Sequence, residues 1–211
     1  MVNLPWKPDL PIRTDRLELR PHQSADLDDL LVYHSDPEVV RYIPWPVRDR
    51  VQTAAALESR TRQGRVTAEG QWLVLAIELG ASEEQAGRVI GEVLLKLDST
   101  TDARGELGYA MAADVAGRGY ATEASRAVLR LGFEEFGLHR IVARLDARND
   151  ASARLLRRLG LRQEAHFVRD DFFKGEWTDT LVFAMLAEEW ERRENGEVRA
   201  DIFRRRFGAP N

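Results

Sequence analysis

The stretch Gly108–Thr122 (GYAMAADVAGRGYAT) constrains the fold of this chain more than any other. It overlaps a short run, Glu106–Met111 (ELGYAM), that reads as a strand. It then enters Tyr120–Phe136, where Tyr120, Ala124, Ala127, Val128 and Leu131 recur at helical spacing. The reading is a strand, a glycine-bearing loop and a long helix. Gly117 and Gly119 let the backbone turn without a Cβ clash. The first N–H groups of such a helix have no internal acceptors. A helix start of this kind attracts a phosphate-like anion, by hydrogen bonding and by the helix dipole. Arg118 adds a positive charge. The pattern has neither the Gly-Lys-Ser/Thr of a P-loop nor the G-x-G-x-x-G of a dinucleotide site, so a tight turn without a ligand is the competing reading.

A second strand-to-helix junction follows. Arg140–Leu145 (RIVARL) reads as a strand, and Asn149-Asp-Ala-Ser152 opens a helix directly after it. Ala151, Leu155, Leu156 and Leu159 turn inward and Gly160 stops the helix. Asn149 suits an N-cap, and Ser152 then sits in the first turn. Upstream, Arg16–Arg20 (RLELR) alternates as a short strand, and Ser24–Ser35 follows as a helix with Ser24 as its N-cap. Asp36-Pro37 marks a break, and Ile43-Pro-Trp-Pro46 cannot be a regular helix or a central strand. Gln52–Gln63 is helical in pattern. Gln71–Leu79 and Arg88–Leu97 are dense in Val, Ile and Leu and flank a polar hairpin link, Gly80–Gly87. Two last strands are expected over Arg162–Val168 and Thr178–Leu186.

The order β-α-α-β-β-β-α-β-α-β-β predicts an α+β (mixed α/β) domain, with helices packed on a mostly antiparallel sheet of about seven strands. Residues 1–11 carry Pro5, Pro8 and Pro11 and read as an extended N-terminal arm. Residues 12–190 are expected to form the domain, and 191–211 a charged C-terminal tail that reads as a solvated face, with a docked helix as the alternative offered by the weak apolar stripe of Val198, Ile202 and Phe203.

The absence of cysteine removes disulfides, thiolate metal sites and an acyl-cysteine route. His22, His34, His139 and His166 lack metal-ligand spacing, so no metal is expected. A net charge of −4 gives no general pull on nucleic acid, and the Arg204–Arg206 cluster alone does not alter that expectation. No apolar run approaches the roughly 20 residues that span a bilayer, and Met1–Pro11 lacks a signal peptide's apolar core. A cytoplasmic protein without a membrane partner is expected.

Taken in order and spacing, several motifs resemble the GCN5-related N-acetyltransferase (GNAT) superfamily over roughly Ile12 to Trp190. Within it they resemble the branch typified by the RimJ and RimL ribosomal-protein N-terminal acetyltransferases. The motifs are Thr14-Asp-Arg-Leu-Glu-Leu-Arg20, Glu106-Leu-Gly-Tyr109, Gly117-Arg-Gly-Tyr-Ala-Thr-Glu-Ala124, Asn149-Asp-Ala-Ser152 with Leu159-Gly160, Gly175-Glu-Trp-Thr-Asp179 and Glu189-Trp190. The resemblance implies direct acetyl transfer from acetyl-CoA to a primary amine. It implies a pyrophosphate loop at Ala116, Gly117, Arg118, Gly119, Tyr120 and Ala121, running into Thr122, with Ala116 in place of the family's usual Arg or Gln. It implies pantetheine pairing near Met111 and Ala112, and a contact from Asn149 to the CoA arm.

By the same resemblance Glu106 is the candidate general base and Glu92 the reserve. Many relatives place a Tyr thiolate acid seven residues after the Asn, where this chain has Leu156, so Ser152 takes that role as in RimL-like members. Tyr42 and Trp45 fall where the family's acceptor wall lies, and Phe172, Phe173 and Trp177 are further aromatics whose contact or packing role stays open. The acceptor is expected to be a peptide N-terminus or a small amine, and a homodimer stays open. The alternatives are N-acetylation of an aminoglycoside, polyamine or amino acid, and a non-catalytic CoA-binding module, for which Ala116 and Leu156 speak.

Overall fold

The computed structural model describes residues 2–196. Eight strands form one sheet in the order β1-β2-β3-β4-β5-β6-β8-β7. They are β1 (Ile12–Arg13), β2 (Leu17–Arg20), β3 (Trp72–Leu79), β4 (Val89–Ser99), β5 (Arg104–Met111), β6 (Arg140–Asp146), β7 (Arg162–Phe173) and β8 (Glu176–Leu186). Every neighbouring pair is antiparallel except β5 with β6. The strand beyond the expected seven is the two-residue β1, too short to leave an alternating pattern. The helices are α1 (Leu27–His34), α2 (Pro37–Val40), α3 (Arg50–Arg60), α4 (Tyr120–Arg130) and α5 (Asp150–Leu159), and a further helix covers 187–196. Among the described residues no helix is long and apolar enough to cross a membrane.

The side-chain alternation of the strands sorts the sheet into two faces. Register aligns Glu92 with Ala110, Lys96 with Glu106, and Glu106 with Val142, so these residues share one face. Arg60 of α3 reaches Glu92, which identifies that face as the α1/α3 side. Leu95, Leu107 and Tyr109 lie on the other face, under α4 and α5. There Tyr109 meets Ser152 of α5, and Leu95 packs beside Gly132 at the end of α4. Burial of Ala153, Leu155, Leu156 and Leu159 seats α5, each leucine contributing about 1.5–3 kcal/mol.

Local chemistry sets several boundaries away from the sequence reading. Ser24 lies inside a short 3₁₀ turn, Ser24–Asp26; Gln23 caps it and donates its N–H to Asp26 at 2.8 Å. Asp49 caps α3 in a reciprocal box with Gln52. The Asp36-Pro37 break is itself a helix start, with Asp36 accepting the Glu38 N–H and proline at the first helical position, where its missing donor is harmless. Helix α4 widens into a π turn over Leu131–Glu135 before β6. The N-terminal arm is anchored: Trp6 pairs with Val66, stacks on Phe136 at 4.4 Å and is 2% exposed. Residues 197–211, with the apolar stripe and arginine cluster of the tail, lie outside the described residues.

Candidate active site

Strands β5 and β6 pair only at Arg104–Arg140, Gly105–Ile141 and Glu106–Val142. Beyond Glu106, β5 stays with β4 as far as Met111, while β6 stays with β8 as far as Asp146. The two central strands therefore part like a V, with Glu106 at its base. From Leu107 onward the edge of β5 that faces β6 has no ladder partner, so its polar groups are available to an extended ligand. Ala112, one residue on, donates its N–H back to Ile90 at 2.9 Å and is committed to β4.

The glycine loop closes one side of the V. Gly117 and Gly119 sit at φ +78 and +84, backbone that side chains rarely adopt. Gly119 is the N-cap of α4 and no side chain caps it, so the first-turn donors from Tyr120 to Thr122 point out of the helix. Ala116, Gly117 and Arg118 are exposed. These features suit a pyrophosphate held by main-chain N–H groups, and the Arg or Gln that Ala116 replaces is not needed for that part of the grip.

The two acidic candidates differ sharply. Glu92 is fully buried and its carboxylate is gripped by both the Nε and Nη2 of Arg60, the latter at 2.6 Å, with His22 at 3.5 Å. Burial would push this carboxyl up, but Arg60 and His22 hold it down to about 2. A carboxylate so bound is a poor proton acceptor. Glu106 is half-buried, and among the described residues nothing hydrogen-bonds or ion-pairs with its carboxylate. Burial raises its pKa, with Arg144 opposing, Asp98 adding to the rise and Lys96 opposing. A free carboxylate whose pKa is raised accepts a proton more readily than one held down by ion pairing.

On the opposite face Tyr109 and Ser152 share a hydrogen bond of 2.5 Å, in which either hydroxyl is able to donate. Burial pushes the Tyr109 phenol up to about 12 against the Ser152 hydrogen bond, so it keeps its proton. Asn149 accepts the Ser152 N–H at 3.0 Å, the N-cap of the sequence reading. That bond fixes Ser152 at the helix start, beside the V. Leu156 is 1% exposed and belongs to the core. Sequence reasoning does not single out Tyr109 as a site residue, although the alternation of ELGYAM sets it on the face opposite Glu106.

A groove of about 730 Å³ runs between the 37–47 segment and the β7–β8 hairpin, with Arg148, two residues past the end of β6, in its lining. Trp45 and Phe173 line it with Val40, Arg41, Arg148 and Lys174. Trp45 is held by Arg48 at 4.8 Å and Arg60 at 5.4 Å from its ring. Tyr42 lies beside the groove under Arg41 and Arg148. Lys174 donates to the Val40 carbonyl and ties the hairpin to α2. Phe172 and Trp177 pack on each other at 5.3 Å, exposed on the hairpin and outside the groove. Among the described residues no cluster of His, Asp or Glu is arranged to hold a metal ion.

Known proteins share this architecture. The family model for an acetyltransferase (GNAT) domain matches residues 16–162, from β2 to the start of β7. The uncharacterised N-acetyltransferase YnaD of Bacillus subtilis is 30% identical over 179 residues, covering 85% of this chain and 98% of its own. A GNAT-family acetyltransferase of Bacillus anthracis superposes with a TM-score of 0.74 at 27% identity, over 84% of this chain and 99% of that one. The fold is shared with RimL, a ribosomal L7/L12 α-N-protein acetyltransferase solved with coenzyme A, at a TM-score of 0.70 and 16% identity over 84% of this chain and 98% of that one. The family match runs through both strands of the V and the helix starts beside it, and on that match the chain belongs to the acetyltransferase (GNAT) family and is an N-acetyltransferase.

Proposed function

We propose that the protein moves acetyl from acetyl-CoA directly to a primary amine, in the manner of the RimJ/RimL-like branch, with a protein or peptide N-terminal α-amine as acceptor. One observation carries the reading: a free, half-buried carboxylate at Glu106 stands on one face of the parted sheet, and a half-buried hydroxyl pair, Tyr109 with Ser152, stands on the other. Acetyl-CoA supplies an activated thioester and a thiolate leaving group. Its pyrophosphate suits the Gly117–Thr122 helix start with Arg118, and its pantetheine arm suits the open edge of β5 up to Met111.

The chain's residues then divide the work. An α-amine has a pKa near 8 and a lysine-type amine near 10.4, so at neutral pH each must lose a proton before attack. Glu106 accepts that proton on the α1/α3 face, where the groove of Trp45 and Phe173 admits the acceptor. Tyr109 and Ser152 present a donor hydroxyl on the α4/α5 face. With the phenol at about 12 and a thiol near 8.5, complete proton transfer from Tyr109 is uphill by about 3.5 pKa units, or roughly 5 kcal/mol. The pair therefore stabilises the departing thiolate by hydrogen bonding, and the thiolate takes its proton from solvent. An open groove lined by Trp45, Phe173, Val40 and Val47 suits the end of a chain better than a compact polyol.

The test is CoA release with two panels, peptides bearing free N-termini and small amines that include an aminoglycoside, a polyamine and an amino acid. The expected result is turnover with a subset of peptides and none after N-terminal blocking. Turnover confined to small amines would replace the acceptor assignment. Thermal stabilisation by acetyl-CoA with no turnover on either panel would favour a CoA-binding module.

A further inference from the structure

The sequence motif Thr14-Asp-Arg16 lies far from the glycine loop in sequence and against it in space. Thr14 Oγ1 donates to Glu123 Oε1 at 2.6 Å, and the Arg16 N–H donates to the same oxygen at 2.9 Å. The Arg16 guanidinium grips the second oxygen, Nε at 2.8 Å and Nη2 at 2.7 Å. Its remaining nitrogen, Nη1, donates to the carbonyl of Arg118 at 2.9 Å. The guanidinium also lies over the Tyr120 ring at 4.5 Å, and a Cβ placed on Gly119 would come to 3.4 Å from Nη2. One side chain thus touches Arg118, the flank of Gly119, Tyr120 and Glu123, which is the whole turn that begins α4. The planar fork of arginine makes these bonds at fixed angles, which lysine cannot reproduce.

We propose that Arg16 and Glu123 are positioning residues for the pyrophosphate grip, acting through the backbone of the glycine loop rather than by touching the ligand. Holding the Arg118 carbonyl toward β2 turns that peptide's polarity away from the ligand side. Holding Glu123 to β2 fixes the angle at which the first turn of α4 presents its N–H groups. The arrangement answers an electrostatic puzzle, because Glu123 places a negative charge in the first turn of a helix whose start is to receive phosphate. Burial would push its carboxyl up, but Thr14 and Arg16 hold it down, so the charge persists and is neutralised by Arg16. The inference rests on the reading of this loop as the pyrophosphate site.

The sign of one substitution separates positioning from charge. If Glu123 acted only through its charge, Glu123→Gln would remove a negative group beside the phosphates and tighten CoA binding. Positioning predicts weaker binding, by about tenfold for the loss of a charge-assisted anchor. Arg16→Lys keeps the cation and should weaken CoA binding by a similar factor. The measurement is the Kd for CoA by calorimetry on wild type and both variants, with the thermal shift from millimolar pantetheine as the phosphate-free control. The expected result is a roughly tenfold loss for CoA in each variant and an unchanged pantetheine shift. Equal or tighter CoA binding by Glu123→Gln, or matching losses for CoA and pantetheine, overturns the inference. Wild-type protein that binds CoA no better than pantetheine overturns instead the pyrophosphate reading beneath it.

Discussion

Ser152 and Tyr109 show how much one hydrogen bond settles. Either hydroxyl alone reads as a helix-start or core group; joined at 2.5 Å across the gap between β5 and α5, they form one donor unit. Ser152→Ala is expected to lower kcat by about 10²-fold, the size of losing one fixed donor to a developing anion. CoA affinity should change by less than threefold, because the Asn149 cap that holds the helix start is backbone-directed. Tyr109→Phe should lower kcat by a similar factor, and the double variant should lose little more than either single one, since the two act as a unit. Single-turnover acetyl transfer with a peptide acceptor reads all three. Wild-type rates in Ser152→Ala would make the serine a helix-start residue only. Ser152 was legible because its type and its distance from Asn149 carry information together. Tyr109 was not, because a tyrosine in a strand is usually packing, and only tertiary structure shows what its hydroxyl meets.

At the level of elements, α3 and β4 are joined by the Arg60–Glu92 pair, both members buried. Removing one partner of such a pair costs about 3–5 kcal/mol, because the other charge is left without compensation. Glu92→Gln should therefore lower Tm by roughly 10 °C, at about 2–4 °C per kcal/mol for a chain of this size. The pair also fixes the acid sensitivity. Glu92 titrates at about 2 in the folded protein against an ordinary 4.5, so its stabilisation is full above 4.5 and is lost as pH falls toward 2. Chemical denaturation of wild type should show stability falling over that window, and Glu92→Gln should flatten the fall. A variant as stable as wild type, with an unchanged acid limb, would contradict the account.

The elements themselves were largely legible, since the periodicities of β3, β4, α4 and α5 are strong. Helix starts are less legible: residue type favours Ser24 as a cap, whereas the Gln23 N–H bonded to Asp26 decides the turn. Strand β7 runs to Phe173 rather than Val168 because register shifts let it follow β8 past a polar, mostly exposed stretch that carries no alternation.

The whole molecule adds what no window of sequence contains. The parting of β5 from β6 depends on which strand each keeps as its other neighbour, and that is a property of the sheet order. The arm is similar: its prolines predict extension, but only the assembled core shows Trp6 against Phe136. Trp6→Ala should cost about 3–5 kcal/mol, the loss for a buried large aromatic, and equilibrium unfolding by urea would reveal it. A loss below 1 kcal/mol would show that the arm is dispensable.

The proposed division of labour also belongs to this scale: the sheet would separate proton removal at Glu106 from thiolate stabilisation at Tyr109 and Ser152. It is tested most directly by the pH–rate profile of wild type and Glu106→Gln with one accepted amine. Burial raises the Glu106 pKa, so the wild-type acid limb should lie above the ordinary carboxylate range. The variant should lose about 10²–10⁴-fold at neutral pH, the usual contribution of a positioned base, and recover as pH rises past the amine's own pKa. Full activity in Glu106→Gln with the same acid limb would contradict the account.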